Sequence, residues 1–162
     1  MKHTLIVLTV MSGLFLVTAC SEPPNTTFSN HNKSETAELK KQINRPRWYN
    51  EQQVKNGEKH FQTHCTSCHN ADASGTSNWR EKDINGNYPP PPLNGTAHTW
   101  HHHLDSLRRT VRIGGVALGG VMPGFADKLN NQETDEVLAW VQSHWSAEIY
   151  AAWQQRNIQA SK

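Results

Sequence analysis

The sequence predicts an all-α fold for residues 45–162, and three observations support it. Apolar residues recur at helical spacing over residues 51–64 and again in a stretch that follows Asn130. Residues 104–113 form a further candidate helix, which ends where paired glycines begin. No stretch shows a convincing strand pattern, so we expect several helices in one small domain.

The first residues have the pattern of a bacterial export signal. Lys2 provides a positive start, and residues 5–17 are mostly apolar but too few to span a membrane comfortably. The run Val17-Thr18-Ala19-Cys20 resembles a bacterial lipobox, in which the cysteine becomes lipidated after cleavage. The alternative is an ordinary signal peptide with a coincidental cysteine. We expect Cys20 to anchor the chain on the periplasmic side of the cell envelope, and Ser21 favours the outer membrane.

The export-signal pattern and Cys20 predict how the chain is divided into segments. Residues 1–19 are predicted to be a lipoprotein signal peptide, and residues 20–44 a lipidated N-terminus with a flexible linker. That linker is rich in Asn, Thr, Ser, Glu and Lys, and has few sizeable apolar residues, namely Phe28, Leu39 and Ile43. Such a composition cannot bury enough surface to fold. We therefore expect a tether that holds the domain of residues 45–162 away from the membrane.

Charge excludes one class of partner. The chain has 16 Lys and Arg residues against 14 Asp and Glu residues. It has no basic stripe of the kind that follows a nucleic-acid backbone. We therefore expect no nucleic-acid binding.

The helices can be justified in chain order. The first is predicted over residues 51–64, where one face carries Val54, Gly57 and Phe61. The middle helix is predicted over residues 104–113, and glycine pairs at 114–115 and 119–120 break the chain after it.

Two further helices are predicted near the C-terminus. Asn130 followed by Glu133 is close to a capping box, which marks a helix start. The apolar stripe of that helix consists of Thr134, Val137, Leu138, Val141 and Trp145. An extra short helix is predicted over residues 146–157, with Ile149 and Trp153 one turn apart. It would cover the core or meet a partner, and we favour the core.

The run Cys65-Thr66-Ser67-Cys68-His69 indicates one covalently attached haem c with its iron. Both thiols can form thioethers with the vinyl groups on one edge of a haem, and His69 can reach the iron as the proximal ligand. The alternatives are a zinc knuckle and a thioredoxin-like redox pair. Zinc would need two further ligands, and Cys20 is assigned to lipid. A redox pair would need a βαβ pattern, which is not visible.

The run from Gly57 through Phe61 to His69 resembles the opening of a class I cytochrome c, with the glycine, aromatic residue and first haem cysteine at matching spacing. The resemblance extends over residues 57–145 and implies an all-α fold wrapped around one covalent haem. It also implies that Gly57 permits a close crossing with the C-terminal helix. Trp140 is implied to pack near Phe61 at this crossing.

A second resemblance concerns the sixth iron ligand. The run Gly120-Val121-Met122-Pro123-Gly124-Phe125 is similar to the loop that delivers a methionine in this family. Met122 is the only methionine left after removal of the signal peptide, so the resemblance implies His69/Met122 ligation. The competing ligands are histidines, namely His98, His101, His102 and His103.

The family also orients its proximal histidine through the carbonyl of a proline in a Pro-x-Leu segment. Pro91-Pro92-Leu93 matches this segment, so the resemblance places Pro91 and Leu93 at the haem. The register is open at this point, because residues 89–92 are four consecutive prolines.

The histidine-rich run of residues 97–103 departs from the commonest small cytochromes. Our first interpretation is that Trp100 and one histidine donate to the haem propionates. The second is a solvated surface, and the third is a metal site such as one for copper. Three adjacent histidines cannot all face one way on a helix.

These residues together predict an electron carrier and not an enzyme. With both axial positions filled, the iron has no site for a substrate, and the expected partners are redox proteins such as a respiratory complex, an oxidase or a reductase. One alternative is a haem enzyme or gas sensor with an open iron position. The other is a metal-handling or assembly protein that uses His101–His103.

Overall fold

The computed structural model describes residues 36–38 and 40–160, without the side chains of residues 159 and 160. The lipidation site predicted at Cys20 and the signal peptide lie outside these residues. The α-helices from residue 51 onward are α1 (Glu51–His64), α2 (Thr66–His69), α3 (Leu104–Ile113), α4 (Asn131–Ser143) and α5 (Ala147–Ala160). Short 3-10 helices cover His98–His101 and Val116–Leu118. The described residues contain no strand beyond one isolated bridge between Tyr88 and Gly120, which confirms the all-α prediction.

Helices α1 and α4 cross at very close range. A Cβ atom on Gly57 would lie 1.8 Å from the carbonyl oxygen of Glu136 and 3.0 Å from Cβ of Trp140. The rings of Phe61 and Trp140 lie 4.2 Å apart, centroid to centroid, beside this crossing. Both contacts are those that the sequence analysis predicted for Gly57 and for Trp140.

Local capping explains where these two helices begin. The Asn130 side chain accepts from the Glu133 backbone N–H, and the Glu133 side chain accepts in return from Asn130 N, which confirms the predicted capping box. A second capping box, Asn50 with Gln53, starts α1 and was not predicted. Helix α4 ends at Ser143, so Trp145 lies beyond it although only 2% of Trp145 is exposed.

Helix α5 belongs to the core. Tyr150, Ala151 and Trp153 are each 2–3% exposed. The Trp153 ring lies 5.4 Å from the Tyr150 ring and 6.0 Å from the Trp145 ring. The interpretation of this helix as a core element is therefore confirmed.

The chain before α1 is fastened to the C-terminal helices. The Arg47 guanidinium donates to the carbonyl oxygen of Gln142 at 2.9 Å and lies 4.0 Å from the Tyr150 ring centroid. Trp48 Nε1 donates to Gln142 Oε1 at 2.8 Å. Burial raises the pKa of Tyr49 to about 12, because a charged phenolate would lose its hydration there. This strap over residues 46–49 was not predicted.

The segment before the strap contains helical structure. Residues 36–38 and 40–43, at the end of the predicted linker, are helical, and Gln42 donates to Glu38 one turn away at 3.3 Å. Lys and Gln are good helix formers, which accounts for this local structure.

Within the described part of the chain, no helix has the length and apolar content needed to cross a membrane.

Candidate haem-binding site

The two cysteines and His69 sit on one tight helical turn. Cys65 ends α1 and precedes α2, and its carbonyl oxygen accepts from the backbone N–H groups of Cys68 at 3.1 Å and His69 at 2.9 Å. Neither cysteine forms a disulfide; Cys65 is partly buried against the core, and Cys68 is exposed. Burial, with a smaller contribution from the charge of Cys68, raises the pKa of Cys65 to about 11.

The His69 side chain is fixed in one tautomer. It is only 6% exposed, and its Nδ1 lies 3.0 Å from the carbonyl oxygen of Pro91. A carbonyl oxygen can only accept, so Nδ1 carries the proton and donates it, which leaves the lone pair of Nε2 for a metal. Burial lowers the pKa of His69, although the hydrogen bond to Pro91 opposes this effect. A neutral imidazole is the form that binds iron.

Backbone hydrogen bonds on either side determine which of the four prolines faces His69. Thr76 N donates to the carbonyl oxygen of Pro90 at 2.9 Å, and Leu93 N donates to that of Ala73 at 2.8 Å. These bonds on either side place Pro91, and not another proline, opposite His69. Leu93 is partly buried and packs against the core.

Gly75 makes this arrangement possible and was not identified from the sequence. Its N–H donates to the carbonyl oxygen of His69 at 3.0 Å, and its φ is +61°. A Cβ atom there would lie 2.4 Å from the carbonyl carbon of Pro91. Only glycine fits this position without displacing Pro91. The signal that could have found it is a glycine shortly after the haem motif, where the chain must turn back.

The Met122 loop lies against the glycines that follow α3. Gly115 N donates to the carbonyl oxygen of Met122 at 2.9 Å, and Gly114, with φ of +83°, leaves room for that oxygen. A Cβ atom on Gly114 would lie 2.6 Å from it. The Met122 side chain is partly buried and packs against the same core as Cys65. Ligation of iron by Met122 stays a prediction.

The histidines of the histidine-rich run differ in how far they are buried. His98 is half-buried and stacks on the Trp79 ring at 4.9 Å, and its Nδ1 has no hydrogen-bond partner among the described residues. Burial lowers the pKa of His98, and the charges of His102, His101 and Arg80 act in the same direction. By contrast, the side chains of His101, His102 and His103 are exposed.

Trp100 belongs to this run and lies beside α5. It is partly buried against the core, and the Arg156 guanidinium lies 4.9 Å from its ring centroid. The propionate contact predicted for Trp100 stays a prediction. Among the residues that the structure describes, no group of three or more His, Cys, Asp or Glu side chains is placed to hold a metal ion. The copper interpretation of His101–His103 therefore gains no support.

The residues present fit a haem c. Two cysteines on one turn that are not in a disulfide, followed by a neutral histidine with Nε2 available, are the donor set that covalent attachment requires. His98 Nδ1 is a buried ring nitrogen without a hydrogen-bond partner among the described residues, and such an atom suits a polar group better than an apolar one.

Comparison with known proteins bears on residues 52–141. This stretch, more than half of the 162-residue chain, matches the family described as cytochrome C oxidase, cbb3-type, subunit III. The match begins within α1 and ends within α4, so Trp145 and α5 lie beyond it. No curated protein and no solved structure gives a significant match to the chain.

Proposed function

The chain belongs to the family described as cytochrome C oxidase, cbb3-type, subunit III, and we propose that it is an electron carrier anchored in the bacterial cell envelope. It is a class I c-type cytochrome with an all-α fold and a covalently bound haem c. Haem-based electron transfer is the activity that this family membership indicates. The finer proposal is one haem ligated by His69 and Met122, on the periplasmic side.

The observation that carries this proposal is the hydrogen bond from His69 Nδ1 to the Pro91 carbonyl oxygen, at 3.0 Å. It holds the imidazole in a single tautomer and orientation and makes Nε2 a stronger electron donor. Cys65 and Cys68 are on the turn just before His69, so thioether bonds would fix the cofactor against the same ring. The iron supplies a one-electron couple.

Met122 is proposed as the sixth ligand. Its side chain is partly buried against the core, and its backbone is held to Gly115. Pro123 fixes its own φ and biases Met122 towards an extended backbone. A thioether is a soft ligand that favours ferrous iron, so this loop would raise the reduction potential. A filled sixth position would leave no place for a substrate, which distinguishes a carrier from a haem enzyme or gas sensor.

Location and partners are proposed from the sequence. An export pattern followed by Cys20 supports lipid anchoring, and covalent haem attachment outside the cytoplasm agrees with export. The partners would be redox proteins, and the family description suggests that an oxidase is one of them. Small, brief contacts are typical of such electron-transfer pairs.

The test is a pair of substitutions at Met122. Met122→His should keep a six-coordinate, low-spin haem but lower its potential, because imidazole stabilises ferrous iron less than a thioether does. Met122→Ala should open the sixth position, so that the ferrous protein binds carbon monoxide readily. Absorption spectra and potentiometric titration measure both effects.

A matched control is Val121→Ala, in the same loop, where 44% of the side chain is exposed. It should keep the wild-type spectrum and resist carbon monoxide. If Met122→Ala also leaves the spectrum unchanged, Met122 is not the ligand. One of His98, His101, His102 or His103 would then be the leading candidate, or the site would be open as in an enzyme or sensor.

A further inference from the structure

The proline segment that orients His69 has no backbone hydrogen-bond donors of its own. Residues 89–92 are four consecutive prolines, which have no backbone N–H group to donate. The segment can therefore be fixed only through its carbonyl oxygens and through contacts with its rings. Because each proline φ is locked near −65°, the segment has fewer free backbone dihedrals than an ordinary chain of the same length, which makes it stiff.

Four consecutive carbonyl oxygens, from Pro90 to Leu93, each accept one hydrogen bond. The donors are, in order, Thr76 N (2.9 Å), His69 Nδ1 (3.0 Å), Thr99 Oγ1 (3.2 Å) and Trp145 Nε1 (2.8 Å). These donors come from separate parts of the chain. The position of the Pro91 oxygen thus depends on bonds made on both sides of it.

Trp145 is the most remote of these donors and is rigidly held. It is 2% exposed, and its indole N–H reaches across 52 residues to Leu93. Its Cδ1 atom lies 3.2 Å from where a Cβ atom on Gly95 would be, so Gly95 admits the indole ring. The Arg47 guanidinium contacts the carbonyl oxygen of Trp145 at 3.5 Å. The Trp153 ring packs against the indole at 6.0 Å.

We propose that Trp145 is a positioning residue for the haem histidine: its indole N–H fixes the Leu93 carbonyl and thereby the Pro91 oxygen that receives the His69 Nδ1 proton. This inference rests on the proposed function, because it takes His69 as an iron ligand. Trp145 lies four residues beyond the stretch of 52–141 that matches the family model. Loss of the support weakens the bond from His69 and makes the ring a poorer electron donor to iron.

The test is Trp145→Phe in the haem-loaded protein, which removes the N–H group but keeps an aromatic ring. The reduction potential should shift upward, because ferric iron loses part of its stabilisation. The His69 Nδ1 proton, followed by NMR in the ferrous protein, should exchange with solvent about fivefold faster. That factor corresponds to a neutral hydrogen bond of about 1 kcal/mol.

Trp153→Phe is the matched control. Trp153 is 3% exposed, packs in the same aromatic cluster and donates its indole N–H to the carbonyl oxygen of His102 at 2.9 Å. It should lower thermal stability as much as Trp145→Phe does, without changing the potential or the His69 proton exchange. Equal changes in both variants would overturn the proposal in favour of general loosening of the core, and so would no change in Trp145→Phe.

A second variant keeps the proposal testable if Trp145→Phe fails to fold. Benzothienyl-alanine at position 145 has the shape of tryptophan with sulfur in place of the N–H group. It should reproduce the upward shift and the faster exchange, and wild-type behaviour would overturn the proposal.

The same spectra separate this proposal from the proposed function. If the wild-type His69 ring shows no sign of iron ligation by NMR, the proposed function fails. If His69 is a ligand and removal of the Trp145 N–H changes nothing, only the present inference fails.

Discussion

At the scale of single residues, the haem chemistry was readable because it is contiguous in sequence. Cys65, Cys68 and His69 lie within five positions, and their residue types alone specify covalent attachment. The partners that orient His69 are distant: Pro91 is 22 residues away, and Trp145 contacts Leu93 across 52 residues. Resemblance to a family supplied Pro91, and the position of Gly75 shortly after the haem motif was a signal that was not used. No local pattern could have indicated the contact of Trp145 with Leu93.

Gly57→Ala tests the close crossing of α1 and α4. At an exposed helical site this change would stabilise the protein by about 0.5–1 kcal/mol. Here the new methyl group would lie 1.8 Å from the Glu136 carbonyl oxygen, so the helices must separate. We expect a loss of about 1–3 kcal/mol in unfolding free energy, measured by urea denaturation. Lys55→Ala, at an exposed position of α1, is the control, and a stabilised Gly57→Ala would contradict the crossing.

Glu136→Gln tests a buried carboxylate. Burial acts to raise the pKa of Glu136, but hydrogen bonds from Asn56 and Gln132, with the charge and hydrogen bond of His60, outweigh it and hold the pKa below its ordinary value. Because the folded-state pKa is the lower one, the stabilisation is complete above the unfolded value of about 4.3 and is lost as pH falls through the folded value.

We therefore expect Glu136→Gln to cost about 1–2 kcal/mol of unfolding free energy at neutral pH. The difference from wild type should shrink in denaturant titrations below about pH 4. Gln132→Ala, which removes one exposed donor to Glu136, should show a smaller difference at neutral pH. A difference that does not depend on pH would show that the charge of Glu136 contributes nothing.

At the scale of helices and loops, periodicity predicted the long helices well. Residues 51–64 and 104–113 were assigned the bounds that α1 and α3 have, since both are framed by clear stop signals. The short helices α2 and Val116–Leu118 were missed, because one turn is too short for a periodic pattern. The stripe assigned to α4 ran on to Trp145, which continues the buried surface after the helix has ended.

Deleting α5 tests its assignment to the core. A chain that stops after Ser146 loses the buried side chains of Tyr150 and Trp153. Loss of a buried tryptophan alone costs about 3–5 kcal/mol, a large share of the stability of a small domain. We expect a much lower melting temperature, measured by circular dichroism. Trp145 should also become exposed to solvent. A chain that stops after the exposed Ile158 should melt like wild type; equal melting of both truncations would show that α5 is dispensable.

At the scale of the whole molecule, one core joins segments that lie far apart in the sequence. Cys65, Leu93, Trp100 and Met122 all pack against the same cluster of buried residues. Sequence reasoning could name these residues but not their mutual distances, which depend on how α1, α4 and α5 pack. The strap of residues 46–49 illustrates why these distances could not be predicted. Arg47 and Trp48 form hydrogen bonds with Gln142 and Tyr150, which lie more than 90 residues further along the chain.

Cys20→Ala tests how the whole molecule is held in the cell. The wild-type protein should have a mature N-terminus at a lipid-modified Cys20, because the preceding residues resemble a lipobox, and should partition into detergent. The variant should lose lipidation and normal maturation, while Ser21→Ala should retain both. Mass spectrometry of the mature N-terminus measures this, and an unmodified Cys20 would contradict the anchor.

The central claim is that this chain carries one electron on a haem whose two axial positions are both occupied. Potentiometric titration of the wild-type protein, followed by absorption spectroscopy with and without carbon monoxide, tests it most directly. We expect a single reversible one-electron transition between two low-spin, six-coordinate states, unaffected by carbon monoxide at neutral pH. A high-spin, five-coordinate spectrum, or rapid binding of carbon monoxide by the ferrous protein, would contradict the account.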